Sequence, residues 1–224
     1  LIPGSVGASP IQNIGAYGCE AKDTIKKVQF IDLESKSIKE LTNNECNFSY
    51  RSSIFKKNLK GKCIITKVTF LLKKKPINNI SYGAVANELS TLKSQASPQS
   101  ICNAIINIRS RKLPDPQKIG NSGSFFKNPI ISNLKLKKIK EKYPEIINYK
   151  QSKTHSKIAA GWLIEMAGWK GYREDDFGVY DKQALVLVNY GQASGNEIIE
   201  LSKKIQQSVL DKFDIMIHPE VNII

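Results

Sequence analysis

The 224-residue chain is poor in the features that mark several functional classes. It has no apolar run near the roughly 20 residues that a membrane-crossing helix needs. No basic–apolar–small signal segment opens it. The expected setting is therefore the cytoplasm, with no membrane partner. It has two histidines, His155 and His218, and four cysteines, Cys19, Cys46, Cys63 and Cys102. The cysteines do not pair at metal-like spacing and the histidines lie far from them, which excludes a structural zinc site; no metal is expected. The thiols are expected to be reduced and to serve as small apolar residues. There is no internal repeat, zinc-finger pattern, RNP signature, Walker loop or G-x-G-x-x-G.

Acidic residues are also scarce: 20 Asp and Glu face 34 Lys and Arg, a net charge of +14. Clustered basic residues release counterions from a nucleic-acid backbone, so a basic nucleic-acid-binding module is one alternative. The lysines are scattered, however, and asparagine and isoleucine are abundant beside them, as under an A/T-rich coding bias. The densest runs are "LLKKKP" (71–76) and "LKLKKIKEKYPE" (134–145), the second read as the solvated face of a helix. A positive field would equally steer a polyanionic small molecule. No nucleic-acid partner is expected. With 41% hydrophobic and 24% charged residues, the composition is that of a globular protein of one large or two small domains.

Residues 1–20 are rich in Gly, Pro and Ser, yet Ile2, Val6, Ile11, Ile14 and Tyr17 are too apolar for a spacer, so a structured turn system is expected. Alternating β-branched residues predict strands over 25–33 and 61–73. Apolar spacing predicts a helix over 97–112, and the prolines of "LPDPQKIG" (113–120) mark a domain boundary. Further helices are predicted over 132–143 with Ser132 as cap, over 156–168 from Ser156 to Gly168, and over 194–213 with a Ser194/Glu197 capping box. Strands are predicted over 183–189 and 214–224. The class is α+β.

Several stretches carry chemistry. Gly4 and Gly7 bracket a turn whose backbone N–H groups could form a phosphate nest, or a plain structural turn. Arg51 beside Tyr50 could clamp a carboxylate, or form a surface salt bridge. Tyr82, in a polar loop, could stack on a base, or be simply half-buried. Arg109, Arg111 and Lys112 at a helix end could grip a diphosphate, or interact with the helix dipole. Glu220 in an apolar closing strand is paired, raised in pKa, or exposed on an edge. "GNSGSFFKNP" (120–129) sets Ser124 between permissive glycines and the anchors Phe125 and Phe126.

Taken in order, "PGSVGASPIQNIGAYG", "YRSSIF", "KLPDP", "GNSGSFFKNP", "AAGWLIE", "GYRE", "QALVLVNYG" and "PEV" resemble the UDP-N-acetylenolpyruvoylglucosamine reductase family of peptidoglycan synthesis, across essentially the whole chain. Tyr82 resembles the substrate-covering tyrosine loop of one subgroup. The resemblance implies the second half of a two-part FAD-binding domain of the vanillyl-alcohol-oxidase (PCMH-like) type over 1–112. It implies an α+β substrate-binding domain over 113–213 and a closing strand over 214–224 that returns to the flavin domain. It further implies a flavoenzyme with FAD as cofactor and NADPH as co-substrate, which reduces an enolpyruvyl UDP-sugar to UDP-N-acetylmuramate, a monomer being favoured. Ser124, Arg51 and Glu220 match the catalytic positions: proton donor to the α carbon, and a pair at the substrate carboxylate. Glu220 could donate a hydrogen bond when protonated, or orient another group. Tyr82, Arg109, Lys112, Asn128, Lys170 and Gln183 match positions at the UDP-sugar. Ile2, Pro3, Gly4, Gly7, Ala8, Ser9, Ile11, Asn13, Ile14 and Gly15 match a flavin-phosphate loop. Two departures stand out. The family's first flavin subdomain does not appear, so residues are expected to precede Leu1, and an inactive truncated remnant is a further alternative. Asp175 stands where a small residue, usually glycine, is expected.

Overall fold

The structure, a computed structural model, describes residues 4–223 and divides into two compact units, up to Arg109 and from Ser110 onward. The division falls inside the helix Pro98–Lys112.

The first unit starts with a 3-10 turn, Val6–Ala8, and a short ribbon of β1 (Gly15–Ala16) and β2 (Cys19–Glu20). Its main sheet is antiparallel, in the order β4-β3-β5, with β3 Ile25–Asp32, β4 Ser37–Thr42 and β5 Cys63–Phe70. Alternation in β3 turns Val28 and Phe30 inward, where they pack with Ile25, Cys46 and Phe55. Phe30 and Phe55 meet edge to face at 5.7 Å. The helices α1 (Gly83–Thr91) and α2 (Pro98–Lys112) form a second small core through Val85, Leu89, Ala104 and Ile108.

The second unit holds β6 (Gly120–Ser124), β7 (Phe126–Lys127), β8 (Ile130–Ser132), α3 (Asn133–Lys142), β9 (Asn148–Lys150), β10 (His155–Ile158) and α4 (Ala160–Met166). It continues through β11 (Arg173–Glu174), β12 (Phe177–Val179), β13 (Val186–Asn189), α5 (Gly195–Phe213) and β14 (His218–Pro219). A four-stranded antiparallel sheet runs β11-β12-β13-β6, a three-stranded one β8-β10-β9, and β14 pairs with β7. The predicted helix α5 has its reciprocal Ser194/Glu197 box, and Leu201, Ile205, Val209 and Phe213 line its buried face. They join Phe126, Ile158, Leu163, Ile164 and Ile217 in one core.

Three sequence expectations need correction. Ser156 does not cap a helix: it lies in β10, buried, and its hydroxyl donates to Asn133 Oδ1 at 2.8 Å. The helix begins only at Ala160, because β10 pairs with β8 and β9 on both sides. The strand expected from 183 begins at Val186, because Val186 N–H closes a turn onto the Gln183 carbonyl. The closing segment is strand only at His218–Pro219. The α+β class holds.

Asp175 now has a reason. It sits in the two-residue turn joining β11 to β12, at φ +46°. Glycine takes that left-handed conformation freely, and aspartate tolerates it where a branched residue does not. Asp175→Val should lower stability by about 1–2 kcal/mol, while Asp175→Gly should stay within about 1 kcal/mol of the parent, measured by urea unfolding. A second expectation concerns the thiols. Burial, and then the charge of Glu45, push the Cys46 thiol up to about 11. Cys19 and Cys102 are exposed. Iodoacetamide at mildly alkaline pH should therefore label Cys19 and Cys102 first, and Cys46 only on unfolding.

Candidate functional site

Ser124 owes its placement to a bulge. Val186 pairs with Ser124 and Val188 with Asn121, so β6 carries one more residue than β13 over that interval. Gly123 supplies the required φ of +73°. Asn121 shapes the bulge: its Oδ1 accepts from Gly123 N–H at 3.0 Å and its amide donates to the Ile119 carbonyl. The sequence reading did not single out Asn121, although an asparagine two residues before a glycine is an Asx-turn signal.

Beyond the bulge the chain is clamped. Phe125 N–H donates to the Leu185 carbonyl at 2.7 Å, and Glu220 N–H donates to the Phe125 carbonyl at 2.7 Å. Phe125 and Phe126 are buried, with ring centroids 5.1 Å apart. Ser124 is itself exposed, and Glu220 is half-buried just past β14. The structure thus brings Ser124 and Glu220 to the two sides of one buried phenylalanine.

Two carboxamides share another support. Asn128 Oδ1 accepts from Ala160 N–H at 2.9 Å, capping α4, whose own N-cap Ala159 has no side-chain oxygen. Gln183 Oε1 accepts from Leu185 N–H at 3.4 Å. Lys170 pairs with Glu165 at 2.8 Å. Lys112 is the exposed last residue of α2. A groove of about 630 Å³ lined by Trp169, Lys204, Gln207, Ser208, Asp211 and Lys212 contains none of the residues singled out in the sequence.

In the first unit, Arg51 adopts φ +51°, a left-handed backbone rare for arginine. Its Nη2 donates to the Gly15 carbonyl at 2.7 Å, and its guanidinium lies 5.2 Å from the Tyr50 ring centroid. Gly15 is glycine for packing: a Cβ there would meet the Cys19 carbonyl at 2.7 Å and Arg51 Nη1 at 3.3 Å. Asn13 is fully buried, at φ +49°. Its amide donates to Glu20 and to the Ser49 carbonyl, and its Oδ1 accepts from Lys22 N–H. Burial pushes the Glu20 carboxyl up, but hydrogen bonds from Lys22 and Asn13, with the charges of Lys22 and Arg51, outweigh it and hold its pKa below the usual range.

The opening turn stays open where Gly4 and Gly7 sit. A Cβ at Gly4 would meet nothing within 4 Å, and at Gly7 only the Ile65 carbonyl at 3.9 Å. Val6 is 62% and Ile11 40% exposed beside them. Ala8, Ser9, Ile11 and Ile14 spend their N–H groups on carbonyls within the turn. Ile2 and Pro3 lie outside the described residues. Tyr82 ends the loop before α1 as its N-cap residue, 39% exposed and edge to face with Tyr17 at 5.2 Å. Arg109 is half-buried in α2. Among the described residues no three His, Cys, Asp or Glu side chains group as metal ligands, and no helix is long and apolar enough to cross a membrane.

Known proteins match this chain along its length. Residues 115–224 match the family described as UDP-N-acetylenolpyruvoylglucosamine reductase, C-terminal domain. A curated protein of that name from Flavobacterium johnsoniae is 50% identical over all of this chain and 67% of its own length. One from Amoebophilus asiaticus is 48% identical over all of this chain and 66% of its own. The chain therefore spans about two thirds of these relatives. A crystal structure of the Thermus caldophilus reductase shares the fold, with a TM-score of 0.63 at 22% identity, over 99% of this chain and 60% of that one. By these matches and by its own architecture, the chain belongs to the UDP-N-acetylenolpyruvoylglucosamine reductase family.

Proposed function

We propose that the chain works as part of an NADPH-dependent flavoenzyme of peptidoglycan synthesis, which reduces the enolpyruvyl ether of a UDP-sugar to UDP-N-acetylmuramate. The observation that carries this reading is the clamp on Phe125, with Ser124 on one side and Glu220 hydrogen-bonded to the other.

The open face at Gly4 and Gly7, with the exposed Val6 and Ile11, fits a flavin nucleotide. A phosphate would meet the turn at Val6 and Gly7, upstream of its internal hydrogen bonds, with Gly4, Ala8, Ser9, Ile11 and Ile14 around it. Asn13 and Gly15 would act by holding that turn rigid, since Asn13 is buried and Gly15 receives Arg51. When bound and reduced by NADPH, FAD supplies the hydride for the β carbon of the enol ether.

The remaining chemistry belongs to this chain. Hydride addition at the β carbon drives negative charge onto the α carbon and into the adjoining carboxylate. Arg51, always cationic, offsets that charge. Ser124 Oγ gives its proton to the α carbon, which balances the two-electron reduction. A serine hydroxyl is a weak acid, but an enolate is a strong enough base to take its proton when the oxygen is held in place. The Ser124 alkoxide left behind regains its proton from water, and Glu220, tied by its backbone to Phe125, either donates a hydrogen bond when protonated or orients another group at the substrate carboxylate. Asn128 and Gln183 present carboxamides to the sugar nucleotide, and Tyr82, Arg109, Lys112 and Lys170 supply a stacking face and cations for uracil and diphosphate. The excess of basic residues steers the polyanionic substrate.

Ser124→Ala separates the half-reactions. Stopped-flow absorbance should show flavin reduction by NADPH within about twofold of the parent. Reoxidation by the enolpyruvyl UDP-sugar should slow by a factor on the order of 10² or more, the size of a lost general acid. Equal loss in both halves would remove Ser124 from the proton-donor role.

A further inference from the structure

Gly161 is the second residue of α4 and is not among the glycines at positive φ, so its backbone does not demand glycine. Inside a helix glycine is a poor choice, because it gives up the propensity of alanine. Its surroundings explain it. A Cβ at residue 161 would lie 3.2 Å from Gln183 Oε1, 3.4 Å from Leu185 Cγ and 3.7 Å from Leu185 Cδ1. The atom closest to the missing methyl is thus the carboxamide oxygen of Gln183. One residue earlier, Ala160 N–H binds the Asn128 carboxamide. The first turn of α4 therefore seats both amides at once, one by a hydrogen bond and one by leaving room.

Leu185 ties this seat to the catalytic strand. Its side chain faces the same open space at Gly161, its N–H donates to Gln183 Oε1, and its carbonyl accepts from Phe125 N–H. A methyl group at residue 161 would push on Gln183 and Leu185 together, and one of them must yield by a few tenths of an ångström.

We propose that Gly161 is a positioning residue for recognition of the UDP-sugar: its lack of a side chain sets where the Gln183 carboxamide lies against α4. This rests on the reading above that Gln183 faces the sugar nucleotide. The residue acts through Gln183 and touches no substrate.

The test is a double-mutant cycle on the full chain. Binding of the enolpyruvyl UDP-sugar is measured by calorimetry in the presence of FAD, with melting temperature recorded for each variant. Gly161→Ala is expected to weaken binding roughly five- to tenfold, and to raise KM with kcat little changed, because small displacements of positioning groups are costly. Its melting temperature should hold or rise, since alanine favours the helix. Gln183→Ala should weaken binding on its own, and Gly161→Ala added to it should cost nothing further. If Gln183→Ala weakens binding and Gly161→Ala does not, the role of Gly161 is wrong while the proposed function survives. Equal losses from Gly161→Ala in both backgrounds, with a fall in melting temperature, mean damage to the fold and also overturn it. If Gln183→Ala has no effect, or the parent chain does not bind the sugar, the underlying functional reading falls, and Gly161 with it.

Discussion

The second unit turns on the backbone of Phe125. A buried peptide group must find partners, and here its N–H goes to Leu185 and its carbonyl takes the N–H of Glu220. The ring beside it drives the arrangement. Burying Phe125 and Phe126 contributes about 1.5–3 kcal/mol each, enough to hold a glycine-rich segment that would otherwise be mobile. With that peptide fixed, the side chain before it, Ser124, is left exposed, and the closing segment is drawn in so that Glu220 N–H meets the Phe125 carbonyl. The bulge at Gly123 then decides which way the serine faces. The packing that stabilises this segment thus also positions the residues of the proposed chemistry.

The first unit solves a parallel problem by electrostatics. Arg51 is held in an uncommon backbone conformation, and such strain persists only where the surroundings impose it. They do so through the Gly15 carbonyl, the Tyr50 ring and the neighbouring Glu20, which Asn13 and Lys22 hold in its charged form. A cation fixed in this way could meet an anion without reorganising, as the role proposed for Arg51 requires.

How much of this was legible in the sequence depended on the range of the interaction. Helix α5 could be read almost residue by residue, because its capping box and apolar stripe are local. The helices from Pro98 and Asn133 were legible for the same reason, and Ser132 caps the latter as expected. The stretch 155–158 defeated the reading, because only pairing with β8 and β9 makes it a strand. β4 was missed because it turns mostly outward, with Ile38 69% exposed, and so shows no inward alternation. In the site, Ser124 was visible through its glycines and phenylalanines. The common seat of Asn128 and Gln183 was not, since residues 55 positions apart meet only through the first turn of α4.

In the proposed reaction, a hydride from FAD and a proton from Ser124 are delivered to an enolpyruvyl UDP-sugar. The most direct measurement is product analysis by mass spectrometry and NMR after the chain is incubated with FAD, NADPH and that sugar. NADPH-dependent conversion of the enolpyruvyl group to a lactyl ether is expected, with one product for each NADPH consumed. An unchanged sugar, or NADPH oxidised with no lactyl ether formed, would contradict it.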